Sequence, residues 1–209
     1  MGKSSVNKHT SNEYEKKYYP SLVMGIDEAG RGPIAGPLVV AGVVFPSGYQ
    51  NEQIYDSKQL SEAKREKLYD IIIKDALAYQ IIIVDEKTID QLNIYQATKK
   101  TMETIARSLD ATICLTDAMP LDGVDKVVEA IVKGDQKSVN IAAASILAKV
   151  TRDRLMKEYD QQYPQYGFAK HKGYPTKQHL AALEAFGPCL IHRHSYGPVY
   201  RLDQMKLDI

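Results

Sequence analysis

The sequence predicts an α/β domain of layered architecture with a mixed sheet. Three observations carry that expectation. Short runs rich in valine and isoleucine alternate with longer segments of helical period. The first two runs are separated by too few residues for a parallel crossover, so they pair antiparallel. An alanine-rich stretch near residues 140–159 combines high helix propensity with side chains small enough to lie close against a sheet.

The first strand is led by Leu22, Val23, Met24 and Ile26 and ends in Asp27-Glu28, followed by a turn, Gly30-Arg31-Gly32-Pro33. A second strand covers residues 36–45 (GPLVVAGVVF) and is stopped by Pro46, Ser47 and Gly48. Ser61 is placed to cap a helix with Glu62 in its first turn and Leu68, Ile71 and Ile72 on its inner face. Residues 79–84 (YQIIIV) read as a third strand, and residues 89–109 as one helix carrying Leu92, Met102, Ile105 and Leu109. Residues 112–116 (TICLT) form a short fourth strand that delivers the chain to Asp117. Residues 127–132 form a fifth, running into Lys133-Gly134-Asp135. The last helix spans residues 176–186, capped by Thr176 and stopped by Gly187-Pro188. Residues 1–17 are assigned to a disordered tail and residues 18–209 to the folded domain.

Composition narrows the classes of function. Apolar content of 44% with 25% charged residues is that of a soluble globular chain. No apolar run reaches the roughly 18 residues of a membrane helix, and the polar first 13 residues hold no signal-peptide core. Cys114 and Cys189 lie far apart, without metal-finger spacing, and are read as structural thiols in a reducing cytoplasm. The net charge of +1 hides a gradient: residues 137–201 hold ten Lys/Arg against four Asp/Glu, a balance of +6, which leaves −5 for the rest. Such a split suits an acidic site facing a cationic surface for an anionic partner, although a solvated charged face gives the same count.

The acids carry the chemistry. A buried strand has no packing reason to end in Asp-Glu, because desolvating unpartnered charge is costly. A bound cation resolves the cost, and so does a basic partner at a surface turn. Asp117 and Asp135 repeat the context, each following apolar strand-like sequence and preceding a turn. Side by side, the four acids would make an oxygen-rich site for hard cations such as Mg²⁺ or Mn²⁺, and two such ions can clamp the oxygens of a phosphodiester displacement. Residues 166–176 (YGFAKHKGYPT) interleave aromatic and basic residues, as a nucleic-acid backbone requires and as an anchored surface loop also would. His192-Arg193-His194 lacks further ligands nearby and reads as a solvated or phosphate-facing surface instead of a zinc pair.

These motifs resemble those of the bacterial ribonuclease HII family. GIDEAGRGPIAGP, DSKQLS, LNIYQATKKTM, VKGDQK, AAASILAKVTRDR, YPQYGFAKHKGYPTKQH and HRHSYGPV occur in order over residues 25–199. The resemblance implies a ribonuclease H-like fold, a five-stranded mixed sheet flanked by helices with a helical C-terminal part. It implies catalytic acids at Asp27, Glu28, Asp117 and Asp135, the first three being the metal ligands, with two divalent ions, Mg²⁺ or Mn²⁺. Gly30, Arg31 and Gly32 would read the 2′-hydroxyl at the scissile junction through backbone groups. Tyr174 would stack on the following sugar. Asp153 would form a supporting ion pair. One departure is local: many members have Asp-Gly after the third acid, where this chain has Asp117-Ala118.

The implied activity is hydrolysis of the RNA strand of RNA–DNA hybrids, and nicking of DNA duplexes 5′ of an embedded ribonucleotide, leaving a 3′-hydroxyl and a 5′-phosphate. The implied protein is a cytoplasmic monomer with no membrane partner. Two alternatives stand beside it. A ribonuclease HIII-like enzyme would need an additional N-terminal domain and a different turn. A non-catalytic nucleic-acid-binding module would make the four acids incidental.

Overall fold

A five-stranded sheet of order β3-β2-β1-β4-β5 organises the chain. The strands are β1 (Val23–Ala29), β2 (Leu38–Val44), β3 (Ala78–Val84), β4 (Ile113–Asp117) and β5 (Val127–Ile131). The computed structural model describes residues 10–207. β1, β2 and β3 pair antiparallel in succession, whereas β4 and β5 run parallel to β1, so the sheet is mixed as expected. All seven residues of β2 are buried, which is why its sequence is nearly continuous valine instead of alternating.

The helices are α1 (Glu13–Tyr18), α2 (Glu62–Asp75), α3 (Glu86–Leu92), α4 (Ile94–Ser108), α5 (Val139–Gln162), α6 (Phe168–His171), α7 (Lys177–Phe186) and α8 (Gly197–Leu207). On one face of the sheet, Met102, Ile105 and Ala106 of α4 pack against Met24, Ile26, Leu38 and Val40. On the other, Ala142, Ala143, Ile146 and Leu147 of α5 join Leu68 and Ile72 of α2 against Val39, Ala41 and Val43. At fully buried positions each Leu, Ile or Val contributes roughly 1.5–3 kcal/mol. The close approach of α5 to β1 depends on Gly25: a Cβ there would lie 2.1 Å from the Ile141 amide nitrogen. Any side chain at that position would push α5 off the strand that carries the first two acids.

Four sequence-based expectations change. The tail assignment of residues 1–17 fails within the described part, since residues 13–18 form α1. There Glu15 Oε1 accepts from Ser138 Oγ at 2.5 Å and Asn140 Nδ2 at 3.0 Å, at the N-terminus of α5. Residues 1–9 of that tail lie outside the described residues. The single helix over 89–109 is two helices, broken at Asn93 (φ 63°), whose side chain accepts from the Gln96 amide and caps α4. The helix near 140–159 runs longer, over Val139–Gln162, with Ser138 as its cap. Helix α8 follows what was read as the last helix, packing Val199 and Leu202 against Ile34 and Leu183. No helix among the described residues is long and apolar enough to cross a membrane.

Candidate active site

The register of the sheet brings the acids together. The β1–β4 ladder ends at Ile26 paired with Thr116, so Asp27 and Asp117 are the next residues of two adjacent parallel strands. β1 continues beside β2 through Ala29, and Glu28 therefore stands on a strand whose other neighbour has ended. Asp27, Glu28 and Asp117 line one cavity of about 360 Å³ with Gly30, Arg31, Gly32, Ser57, Lys58, Ser145, Lys149, Arg152 and Tyr174. Every expected substrate-binding residue is in that lining. Asp135 is not; it is buried in a 3₁₀ turn, Gly134–Gln136.

Local hydrogen bonds fix two of the acids. Asp27 Oδ1 accepts from the Glu28 amide at 2.7 Å, and Asp117 Oδ1 accepts from the Gly134 amide at 2.9 Å. That second bond ties the end of β4 to the turn that holds Asp135. Ala118 adopts φ 55°, the left-handed conformation a glycine would take at no cost, so the local departure from Asp-Gly is accommodated with strain. Glu28 Oε1 lies 3.6 Å from the Arg31 guanidinium, while its Oε2 is buried without a hydrogen-bond partner.

The field of the site is negative and poorly solvated. Burial, then the charges of Glu28 and Asp117, hold the Asp27 carboxyl well above the usual carboxylate range. Burial raises Glu28 as well, against the pull of Arg31. Asp135 is pushed up to about 6 by burial, then by Asp56 and Asp117. Lys58 sits among these acids: burial opposes its charge, but Asp135, Asp27, Asp56 and Asp117 together raise its pKa. Among the described residues no three His, Cys, Asp or Glu side chains already stand as a metal cage. A closed cage is not what Mg²⁺ needs, because it keeps waters and binds through one or two carboxylates plus substrate phosphate oxygens. The all-oxygen donors and the orphaned Glu28 Oε2 fit such an ion.

Two buried arginines brace the segment from Gly30 to Pro37. Arg152 of α5 donates from Nε to the Pro37 carbonyl (2.8 Å), from Nη1 to Lys172 (2.9 Å) and from Nη2 to Ala35 (3.1 Å). Arg193 donates from Nη2 to the carbonyls of Gly30 (2.7 Å) and Gly36 (2.7 Å), from Nε to Gly36 (2.9 Å) and from Nη1 to Arg31 (3.3 Å). Carbonyl ligation at both ends explains why guanidinium groups are tolerated at 1% and 0% exposure. The turn is thus held by its carbonyls. Gly30 (φ 104°) leaves no room for a side chain, since a Cβ would meet Arg152 Nε at 2.2 Å.

The Tyr174 loop docks on this turn. The Ile34 amide donates to the Gly173 carbonyl at 3.0 Å, and the Tyr174 ring passes 3.3 Å from where a Gly32 Cβ would be. Of the aromatics in the interleaved loop, Tyr166 and Phe168 are buried and stacked, with ring centroids 5.2 Å apart, while Tyr174 is 46% exposed. The loop is therefore anchored by two rings and offers a third. Asp153 pairs with Lys149 at 2.7 Å and Arg65 at 3.8 Å, the supporting role expected of it.

His192-Arg193-His194 is a correction. The surface reading holds for His194, but His192 and Arg193 are buried at 1% and 0% exposure, His192 against His179 and the Cys189 amide and Arg193 against the carbonyls of Gly30, Arg31 and Gly36. Sequence reasoning also gave no role to Lys58, Ser145, Arg152 or Arg193. The DSK triplet at residues 56–58 was a usable signal, a lysine flanked by polar residues before a cap. For the two arginines no local signal exists. Burial disfavours the thiolate at both cysteines, pushing Cys114 up to about 12 and Cys189 up to about 11.

Comparison with known proteins agrees with this geometry. The family model described as Ribonuclease HII matches residues 24–199. A ribonuclease HII of Ruminiclostridium cellulolyticum is 55% identical over 178 residues, covering 84% of this chain and 70% of that protein. The crystal structure of the ribonuclease H2 from Pyrococcus horikoshii OT3 superposes with a TM-score of 0.78 at 27% identity, covering 90% of this chain and all of that one (100%). Bst-RNase HIII, solved in complex with Mn²⁺, gives a TM-score of 0.63 at 14% identity, covering 100% of this chain and 78% of that one, a likeness of fold alone.

Proposed function

The chain belongs to the ribonuclease HII family of metal-dependent endoribonucleases, which cleave the RNA strand in RNA–DNA hybrids and ribonucleotide-containing duplexes, and from that premise we propose how its own residues perform the reaction. The observation that carries the reading is that Asp27, Glu28 and Asp117 share one cavity with Gly30, Arg31, Gly32 and Tyr174. A site that must recognise a ribose and cut the phosphate beside it needs both sets within one nucleotide's reach.

Asp27, Glu28 and Asp117 are the ligands for two divalent cations, Mg²⁺ or Mn²⁺, and Asp135 holds the attacking side in place through Asp117 and the turn they share. When bound, such cations would lower the pKa of the attacking water and offset charge developing on the phosphate oxygens. Water adds to phosphorus in line, the 3′-oxygen leaves with a proton, and the products are a 3′-hydroxyl and a 5′-phosphate. Cleavage falls 5′ of an embedded ribonucleotide. Backbone groups of Gly30, Arg31 and Gly32 meet the 2′-hydroxyl, the group that distinguishes RNA from DNA. Tyr174 packs its exposed ring on the next sugar. Lys58 and Lys149 bring positive charge to the phosphates, so affinity falls with salt. The enzyme acts as a cytoplasmic monomer.

Substitution of the acids one at a time tests this assignment. Asp27→Asn, Glu28→Gln, Asp117→Asn and Asp135→Asn each lower single-turnover cleavage by about 10³-fold or more, while hybrid affinity in EDTA stays near that of the native protein. An acid whose substitution leaves most of the activity does not belong to the site.

A further inference from the structure

Tyr174 presents an exposed ring from a backbone that is held on both sides. Its amide donates to the His171 carbonyl at 3.0 Å, and its carbonyl accepts from the Thr176 amide at 2.8 Å and lies 2.9 Å from His179 Nδ1. Behind His179 stands His192, with Nε2 atoms 3.1 Å apart, and His192 Nδ1 receives the Cys189 amide at 3.0 Å. His179 and His192 are 0% and 1% exposed.

The two ends of this relay fix every proton in it. The Cys189 amide can only donate, so His192 Nδ1 carries a lone pair and its proton is on Nε2. That proton is donated to His179 Nε2, which leaves the His179 proton on Nδ1. The Tyr174 carbonyl can only accept, and it takes that proton. Adding a further proton at His179 Nε2 would set two N–H groups against each other, and adding one at His192 Nδ1 would confront the Cys189 amide. Burial agrees, pushing both imidazoles down to about 4. His171, stacked on His179 at 4.4 Å between centroids, completes the cluster: its Nδ1 accepts from the Gly173 amide at 3.2 Å, and its Nε2 faces the Tyr166 carbonyl at 2.8 Å.

We propose that His179, oriented by His192, is a positioning residue for Tyr174, its Nδ1–H fixing the Tyr174 carbonyl and thereby the pose of the ring across Gly32. The relay sets how well the enzyme treats a lone ribonucleotide in DNA relative to a continuous RNA strand. This rests on the reading of Tyr174 as the residue that packs on the sugar after the ribonucleotide.

Two substitutions separate the two nitrogens of His179. The amide nitrogen of Asn occupies the place of Nδ1 and keeps a donor for the Tyr174 carbonyl. The amide of Gln reaches the place of Nε2, keeps a partner for His192 and loses that donor. The readout is kcat/KM on a duplex with one ribonucleotide divided by kcat/KM on an RNA–DNA hybrid of equal length. In His179→Gln the ratio falls about tenfold, as for loss of one hydrogen bond. In His179→Asn it returns to within about threefold of native. In a Tyr174→Ala background the His179→Gln effect on the ratio vanishes, because coupled residues are not additive. Equal losses in the Gln and Asn variants, or a Gln effect that persists without the Tyr174 ring, overturn the relay. If Tyr174→Ala leaves the ratio unchanged, the sugar-packing reading fails, and the proposal with it. A measurement on the native protein covers variants that do not fold: ¹⁵N spectra of the imidazoles show His179 protonated at Nδ1 and His192 at Nε2, and the opposite tautomers overturn the proposal.

Discussion

Replacing Arg193 by methionine, Arg193→Met, removes the guanidinium donors that hold the Gly30, Arg31 and Gly36 carbonyls from behind. The Arg193 side chain is 0% exposed, and a methionine of similar length leaves little void. The Gly30 and Gly36 carbonyls lose bonds of 2.7 Å and 2.7–2.9 Å, while Arg31 keeps the Tyr196 hydroxyl at 2.7 Å. Each orphaned buried carbonyl costs about 1–3 kcal/mol, so two cost about 2–6 kcal/mol. Part of this is returned, because burial lowers the pKa of Arg193 and the guanidinium is itself costly to desolvate. A net loss of about 2–4 kcal/mol remains, equivalent to a drop in Tm of roughly 4–16 °C for a chain of this size. Arg193→Lys recovers only part of it, since one ammonium cannot span the acceptors that the guanidinium fork reaches. Urea unfolding measures the stability, and cleavage of a single-ribonucleotide duplex measures the turn, whose loosened carbonyls lower kcat/KM more than stability alone predicts. A methionine variant with native Tm and native cleavage would refute the role given to Arg193.

Asp27→Asn raises Tm at pH 7 without divalent cations. The folded-state pKa of Asp27 lies above its unfolded value, so ionisation lowers stability as pH rises through that window, and an amide removes the effect; a lower Tm contradicts the negative field assigned to the site. Ala118→Gly relieves a non-glycine residue at φ 55° and stabilises the chain by about 0.5–1 kcal/mol after its own entropic cost, as read by chemical denaturation. An NMR titration is expected to find His179 and His192 pushed down to about 4, from the usual 6.5, by their burial. Their folded pKa values are depressed, so the unfolded state binds more protons between those limits and stability falls as pH drops from 6.5 towards 4. The loss approaches about 3 kcal/mol per imidazole, partly offset by Asp27 and Asp135, whose raised values act in the opposite sense; titration of either imidazole above pH 6 would contradict its burial.

What the sequence made legible follows from how local each signal was. Asp27-Glu28 and Asp117 could be read because each follows apolar strand residues directly, and strand register alone places two of them side by side. The antiparallel β1–β2 pair was legible from the shortness of its connection. Helix α1 was not, because its tie is Glu15 meeting Ser138 and Asn140 more than 120 residues on. Helix α8 begins at Gly197-Pro198, which reads as a stop, and its place is set by packing on Ile34 and Leu183. The break at Asn93 was hidden inside a continuous apolar period, although asparagine is among the residues favoured as a helix N-cap. His192 and Arg193 look like surface residues locally; the carbonyls of Gly30 and Gly36, about 160 residues earlier, make Arg193 interior, and His179 with the Cys189 amide does so for His192. Apart from the break at Asn93, features held by neighbours in sequence were visible, and features held by groups distant in sequence were not.

The most direct test is cleavage by the native chain of a DNA duplex containing one ribonucleotide, beside an all-DNA duplex, with Mg²⁺ or Mn²⁺. Denaturing gels and end-labelling would then identify the products. A single nick 5′ of the ribonucleotide, with a 3′-hydroxyl and a 5′-phosphate and an intact all-DNA control, is the predicted result. Folded protein that leaves the ribonucleotide duplex uncut with both metals, or cuts both duplexes alike, would contradict the account.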